Sequence, residues 1–357
     1  MTIELENVTL RRDGVDFLMD VSLVLEPGDF NILLGPTLSG KTTLLRTMAG
    51  LEKPDTGRVL DGGTDVTGVP VQKRNVAMVY QQFINYPSMT VFENIASPLR
   101  VAGESRAEVE RRVGEVATLL KLEAMLGRRP SELSGGQQQR AALARALVKQ
   151  AGLVLLDEPL ANLDYKLREE LRNELPRLFE DTGSTVVYAT AEPAEALMLG
   201  GHTATLHEGG VTQFGVTHEV FRNPVDLITA KTFSDPPLNV AHVVKRGDTF
   251  AMDEEVTWSV GGKHASLPDG EYRLGFRSHH LSLKAGGEHA ISLEGKVEIA
   301  EISGSETFVH LNVGSHQWVS QSHGVHRLDV GQKLTVSVNP ERFILFAPDG
   351  RRIDGRR

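Results

Sequence analysis

The 357-residue sequence contains no cysteine. That excludes disulfides and thiolate metal sites, and it fits a reducing compartment. Basic residues are too few to dominate: 38 Lys and Arg stand against 47 Asp and Glu, a formal net charge of −9. Binding a phosphate backbone needs a dense basic footprint, so nucleic acid is not expected as a partner. No apolar run approaches the roughly 20 residues of a spanning helix, and "MTIELENVTL" reads as an alternating strand rather than a signal peptide. The chain is therefore expected to be soluble, or held at a membrane only through partners. Histidine is missing from the first 201 residues; all twelve lie at His202 or beyond. Whatever chemistry that stretch performs, it performs without an imidazole of its own.

What is present falls into two textures. Up to about residue 234, apolar strands alternate with helical segments. "NILLGPTLSGKTTLLRTMAG" reads as strand, loop and helix, and Arg106 to Lys121 reads as a helix with Val113, Val116, Leu119 and Leu120 on one face. "QRAALARALVKQ" is rich in strong helix formers. "LVLLDEP" suits a strand buried on both faces, Leu160 to about Glu180 reads as a helix, and "TVVYAT" is the next strand. This alternation implies a mostly parallel sheet covered on both sides, an α/β P-loop domain over residues 1–234. After the proline-bearing "SDPPLNV", short strands with Gly, Asp and Asn turns follow, and no long amphipathic helix is visible. Residues 235–357 are expected to form a smaller all-β domain, with small barrels the favoured form.

Three motifs carry chemistry. "GPTLSGKT" fits G-x-x-x-x-G-K-[ST] between a strand and a helix, the context that separates it from an ordinary glycine turn. Its glycines let backbone N–H groups curl around phosphates at a helix N-terminus. The nucleotide-binding loop is read as Gly35, Pro36, Thr37, Leu38, Ser39, Gly40, Lys41, Thr42 and Thr43, with Lys41 reaching the β/γ-phosphates and Thr42 ligating Mg²⁺. Asp157 and Glu158 end a buried strand; Asp157 would hold Mg²⁺ and Glu158 would orient and deprotonate the attacking water. "LSGGQQQR" opens another helix, where Leu133, Ser134, Gly135, Gly136 and Gln137 make a second anion nest. Two anion sites with one P-loop lysine make sense if two chains face head to tail, each offering its nest to the other's nucleotide.

Together these motifs resemble the ATP-binding subunits of ABC transporters, over nearly the whole chain. "GFRSHHLSL", "EISGSETFVHL" and "VNPERFILFAPDGRRI" look like the OB-like regulatory β-domain, called TOBE, of subunits that power carbohydrate and polyol importers. The resemblance implies ATP and Mg²⁺ as cofactors and a peripheral place on the cytoplasmic face of the inner membrane. It implies two permease subunits as partners and, indirectly, an extracytoplasmic substrate-binding protein. It makes Gln81 the loop glutamine that contacts Mg²⁺ and signals to the membrane subunits, and it puts Asp164 at the dimer seam. Residues 82–95 would receive a permease helix, the favoured reading, although Phe83, Tyr86, Met89 and Phe92 could simply be core.

Two positions depart from the family. Arg12 stands where an aromatic residue usually stacks on adenine; a guanidinium plane can also stack, or Arg12 can be a surface residue. The family's Thr-His-Asp at a strand tip is here Thr190-Ala191-Glu192. The histidine contacts the γ-phosphate, and a group of that kind contributes about 10²–10⁴ in rate. Ala191 cannot replace it, while Lys41, Asp157, Glu158 and the Ser134 nest remain. Such a chain is expected beside a different, histidine-bearing ATPase. "GVPVQKRNVAMVYQQFINYPSMTVFENIASPLR" is similar to one of the two paired ATPase subunits of bacterial glycerol importers.

Overall fold

A computed structural model describes every residue except 1, 162, 181–182, 253–255, 261–263, 288–289 and 354–357. The chain packs as two units, Met1–Val220 and Phe221–Arg357.

The first unit opens with a long hairpin, β1 (Ile3–Arg12) and β2 (Val15–Val24), followed by β3 (Phe30–Leu34), α1 (Lys41–Ala49), β4 (Thr56–Asp61) and β5 (Thr64–Asp65). Then come β6 (Val76–Val79), α2 (Val91–Val101), α3 (Arg106–Leu119), α4 (Gly135–Val148) and β7 (Leu153–Asp157). The unit continues with α5 (Tyr165–Glu180), β8 (Thr185–Thr190), α6 (Pro193–Leu199), β9 (His202–His207) and β10 (Gly210–Val216), and the division falls inside α7 (Thr217–Arg222). β2, β1, β4 and β5 form an antiparallel sheet in that order. The second sheet runs β10-β9-β3-β8-β7-β6, parallel throughout except for β10 against β9. Every residue of β3, β7 and β8 is buried. Such strands read as unbroken apolar runs because both faces are covered. Buried Asn31 in β3 is satisfied by the Glu26 backbone, accepting at 2.9 Å and donating at 2.9 Å.

Helix ends follow local chemistry. α2 starts in a capping box: Thr90 Oγ1 accepts from the Glu93 N–H, and the Thr90 N–H donates back to Glu93 Oε2. Ser105 caps α3 by one bond, its hydroxyl accepting from the Glu108 N–H. The helix expected from Leu160 starts at Tyr165 instead. Glu158 turns the chain with φ +46°, and the bonds Ala161 N–H to Glu158 O and Leu163 N–H to Leu160 O make turns rather than helix.

The second unit contains α8 (Leu227–Thr232), β11 (Asn239–Arg246), β12 (Thr249–Met252), β13 (Val256–Ser259) and β14 (Gly270–Phe276). Then come β15 (Ile291–Ser303), β16 (Glu306–Val313), β17 (His316–His323), β18 (Lys333–Val338) and β19 (Ile344–Phe346). They form two antiparallel sheets, β13-β12-β11-β14-β19 and β17-β16-β15-β18, around one apolar core. The Trp318 ring meets Phe276 edge-on at 4.9 Å, and Asn239 joins the sheets by bonding both the N–H and the carbonyl of Val319. α8 packs Leu227 and Ala230 on Leu238 and Phe346. It therefore belongs to the β-unit, although the texture of the sequence set the break after it.

Candidate nucleotide site

The carboxyl ends of parallel strands are where this class of sheet places ligands. Here β3 delivers the phosphate loop, β6 leads to Gln81, β7 delivers Asp157 and Glu158, and β8 delivers Ala191. β8 lies between β3 and β7 and ties both down: the Gly35 N–H donates to the Thr190 carbonyl at 3.3 Å, and the Glu158 N–H donates to the Ala189 carbonyl at 3.0 Å.

The phosphate loop is closely fitted to its bed. A Cβ on Gly35 would lie 2.6 Å from the Leu206 carbonyl oxygen, and one on Gly40, at φ +102°, 2.9 Å from that of Phe17. No side chain fits at either place. Lys41 Nζ is buried and donates to the carbonyls of Gly35 (2.7 Å) and Pro36 (3.0 Å), 3.6 Å from Glu158 Oε1. Burial pushes the Lys41 ammonium down, opposed by the charges of Glu158 and Asp157. The buried Ser39 hydroxyl has no hydrogen-bond partner among the described residues. A cradle with an orphaned donor and a lysine resting on its own loop carbonyls fits a polyphosphate.

The metal side fits as well. The Thr42 hydroxyl donates to Asp157 Oδ1 at 3.1 Å, and Asp157 is only 2% exposed. Burial pushes the Asp157 carboxyl up, with the Thr42 bond opposing it. One hydroxyl and one carboxylate suit Mg²⁺, which takes few protein ligands and completes its shell with phosphate and water. Thr42 and Asp157 would hold it, and when bound it would neutralise phosphate charge. Glu158, in the left-handed region at φ +46°, accepts from Gln81 Nε2 at 2.9 Å. Non-glycine residues held there are strained, and such strain clusters at functional sites.

Ser134 caps α4 in a box with Gln137, each side chain accepting from the other's backbone N–H. Leu133 beneath it is buried, Gly135 is exposed, and nothing lies within 4 Å of a Cβ built on Gly135. The nest opens outward. Asp164 is exposed just before α5, and its carbonyl accepts from the Arg168 N–H at 2.9 Å. Arg12 donates in its plane to the Arg11 and Lys53 carbonyls and pairs with Asp55 at 3.4 Å.

Ala191 is exposed at the tip of β8. Beneath it lies a group that motif reading missed. Glu195, buried in α6, accepts from Thr190 Oγ1 (2.7 Å) and Tyr188 OH (3.0 Å), and Thr190 Oγ1 in turn accepts from the Glu192 N–H. Burial pushes the Glu195 carboxyl up. Glu192 pairs with Arg168 at 3.0 Å, and Arg168 also donates to the Ala161 carbonyl. A second missed residue is Asn94, fully buried in α2. It accepts from the Tyr86 N–H and donates to the Tyr86, Met89 and Thr90 carbonyls, fixing the 86–90 loop with Tyr86 and Met89 exposed. The Thr90-x-x-Glu93 pattern next to it was a legible signal; a lone asparagine is not.

The family model for "ABC transporter" matches residues 18–161, and that for "TOBE domain" matches residues 274–346. The sn-glycerol-3-phosphate import ATP-binding protein UgpC of Chromobacterium violaceum is 34% identical over 99% of this chain and 96% of its own length. The trehalose/maltose import ATP-binding protein MalK of Thermococcus litoralis is 36% identical over 93% of this chain and 94% of its own. Among solved structures, the ATP-binding cassette MJ0796 bound to ADP and Pi aligns with a TM-score of 0.56 at 32% identity, covering 60% of this chain and 98% of that one. ATP with Mg²⁺ is the pair this site is built for. The chain belongs to the ABC transporter family, as an ATPase of the import ATP-binding type with a TOBE domain.

Proposed function

We propose that this chain drives uptake of a small polyol or sugar, glycerol first among them, beside a second and non-identical ATPase subunit. The carrying observation is Ala191 at the tip of β8, where the family resemblance expects a histidine, in a chain that keeps Lys41, Thr42, Asp157 and Glu158. Lys41 and Thr42 grip the phosphates, Asp157 and Thr42 hold Mg²⁺, Glu158 takes the proton of the attacking water, and Gln81 relays the site's state to the permeases. Relatives named for sn-glycerol-3-phosphate and for trehalose/maltose support a polyhydroxy substrate. In this reading the chain sits peripherally on the cytoplasmic face of the inner membrane. Residues 82–95 receive one permease subunit, and a substrate-binding protein acts from the other side. Among the described residues no helix is long and apolar enough to cross a membrane. Arg12 stacks on adenine through a face that its in-plane bonds leave open.

Two composite sites follow. This chain's phosphate loop with the partner's nest lacks the histidine and is slow. The partner's phosphate loop and histidine, completed by Ser134, Gly135, Gly136 and Gln137, are fast, with Asp164 at the seam. A pair of identical chains is the second reading, favoured by the dimeric structures of MJ0796. The assembled transporter distinguishes them. Ser134→Arg is expected to remove most ATPase activity and Glu158→Gln to spare much of it. The opposite ranking would sink the asymmetric pair.

A further inference from the structure

Four basic side chains collect on two neighbouring turns of the β-unit. Arg277 leaves β14, and Ser278–His280 make a single turn after it. Arg342 ends the turn Pro340–Arg342, just before β19. β14 pairs with β19 with Gly275 opposite Ile344, and this register, carried on by two residues, sets Arg342 across from Arg277. One step earlier the Phe276 and Phe343 rings are 5.7 Å apart, and the His279 and His280 rings meet edge to face at 4.3 Å.

Arg277 is only 8% exposed, and buried charges are normally paired. Its Nη2 donates to the Phe221 carbonyl at 2.5 Å, and the guanidinium lies 3.4 Å over the centre of the Phe221 ring. Nη1 has no hydrogen-bond partner, and no carboxylate pairs with Arg277 among the described residues. Burial pushes the guanidinium down to about 10, so it stays charged at neutral pH. His280 Nδ1 is likewise buried without a partner. Burial pushes both imidazoles down, and every charge acting on them pushes the same way: Arg277 and Arg342 on His279, and His279, Arg342 and Arg277 on His280. β17, packed on this turn, offers neutral partners. Ser278 Oγ donates to Gln321 Oε1 at 3.3 Å, and Ser320 Oγ donates to the Leu281 carbonyl at 2.6 Å. Glu306 of β16 is held by Gln321 Nε2 at 2.9 Å and lies 3.7 Å from His323, while Glu341, beside Arg342, is exposed.

We propose that Arg277, His279, His280 and Arg342 form a site for a small tetrahedral oxyanion of the phosphate type, either free or as a phosphomonoester. Such an anion is the counter-ion the cluster lacks. Arg342 and His279, both exposed, offer N–H donors at the surface. Buried Arg277 adds a fixed positive charge beneath them, where the dielectric screens it least. A guanidinium fork matches phosphate oxygens, and donors from several side chains suit a tetrahedral group better than a planar carboxylate. An anion here also favours the charged imidazoles, so its binding takes up protons. All four residues belong to the unit Phe221–Arg357, and none is among those assigned to ATP.

The full chain, with Mg-AMP-PNP filling the phosphate loop, is titrated with sulfate by calorimetry at constant ionic strength. Sulfate keeps its double charge across neutral pH, so any pH dependence comes from the protein. Saturable binding is expected, tighter at about pH 6 than at about pH 8 as the imidazoles gain protons. Arg342→Gln and His279→Gln, each at an exposed position, should weaken it about tenfold while thermal melts stay unchanged. No saturable binding, or binding untouched by both substitutions, overturns the site. Affinity independent of pH overturns the part given to the imidazoles. Inorganic phosphate and glycerol phosphate are then compared at the higher pH, where both are dianions. Tighter binding of glycerol phosphate upholds a site for an organic phosphate, and equal or weaker binding upholds one for free phosphate.

Discussion

At the scale of single residues, the roles proposed for the site separate groups that bind from groups that turn over. Lys41 is buried and rests on its own loop carbonyls, so its charge is held where phosphate would replace them. Lys41→Ala removes several charge-assisted bonds, and Mg-ATP affinity is expected to fall ~100-fold. Equilibrium binding of a fluorescent ATP analogue checks this. Arg12 is a different case. Its ion pair with Asp55 is exposed and contributes little to stability. If its face stacks on adenine, Arg12→Ala weakens ATP binding while Arg12→Tyr preserves it, and equal affinities for all three proteins return Arg12 to the surface.

At the scale of elements, the legible parts were those where one local rule decides. "TVVYAT" is β8 residue for residue, because a buried parallel strand needs an apolar run. "GPTLSGKT" was legible because a loop between strand and helix must use glycine where backbone meets backbone. The start of α5 was misread because Leu160 and Leu163 look helical, while the turn is set by the left-handed Glu158, which leaves no compositional trace. Glu195 and Asn94 were invisible for a related reason: each acts through burial and through bonds made only once the fold exists. Asn94→Ala would take away the side-chain partner of the part-buried Tyr86 N–H and Met89 carbonyl, at a cost of about 1–3 kcal/mol. Urea unfolding measures it, and loss of permease-stimulated ATPase should exceed the loss of ATP binding. The turn after β14 carries a pH response. Burial, together with the charges of His279, Arg342 and Arg277, pushes the His280 imidazole down to about 4 from its ordinary 6.5. The folded state thus takes up this proton less readily than the unfolded one. The stability it contributes is complete above pH 6.5 and is lost as pH falls toward 4. Thermal melts should drop over that range and flatten in His280→Gln.

At the scale of the molecule, the position of α8 decides where the chain can be cut. A chain ending near Ser234 keeps α8 but removes Leu238 and Phe346, the partners of its apolar face. A chain ending at Val220 leaves no such face behind. The shorter protein is expected to be the more soluble and to bind ATP, with size-exclusion chromatography and nucleotide binding as the measures. The same view explains how an alanine can stand at the tip of β8 without disturbing the rest. That strand anchors the phosphate loop and Glu158 through the carbonyls of Thr190 and Ala189, not through any side chain. Scaffolding thus rests on backbone atoms of the strand, while Ala191, just past its end, is exposed. At this exposed position Ala191→His is expected to raise turnover at the chain's own site while the melting temperature stays put.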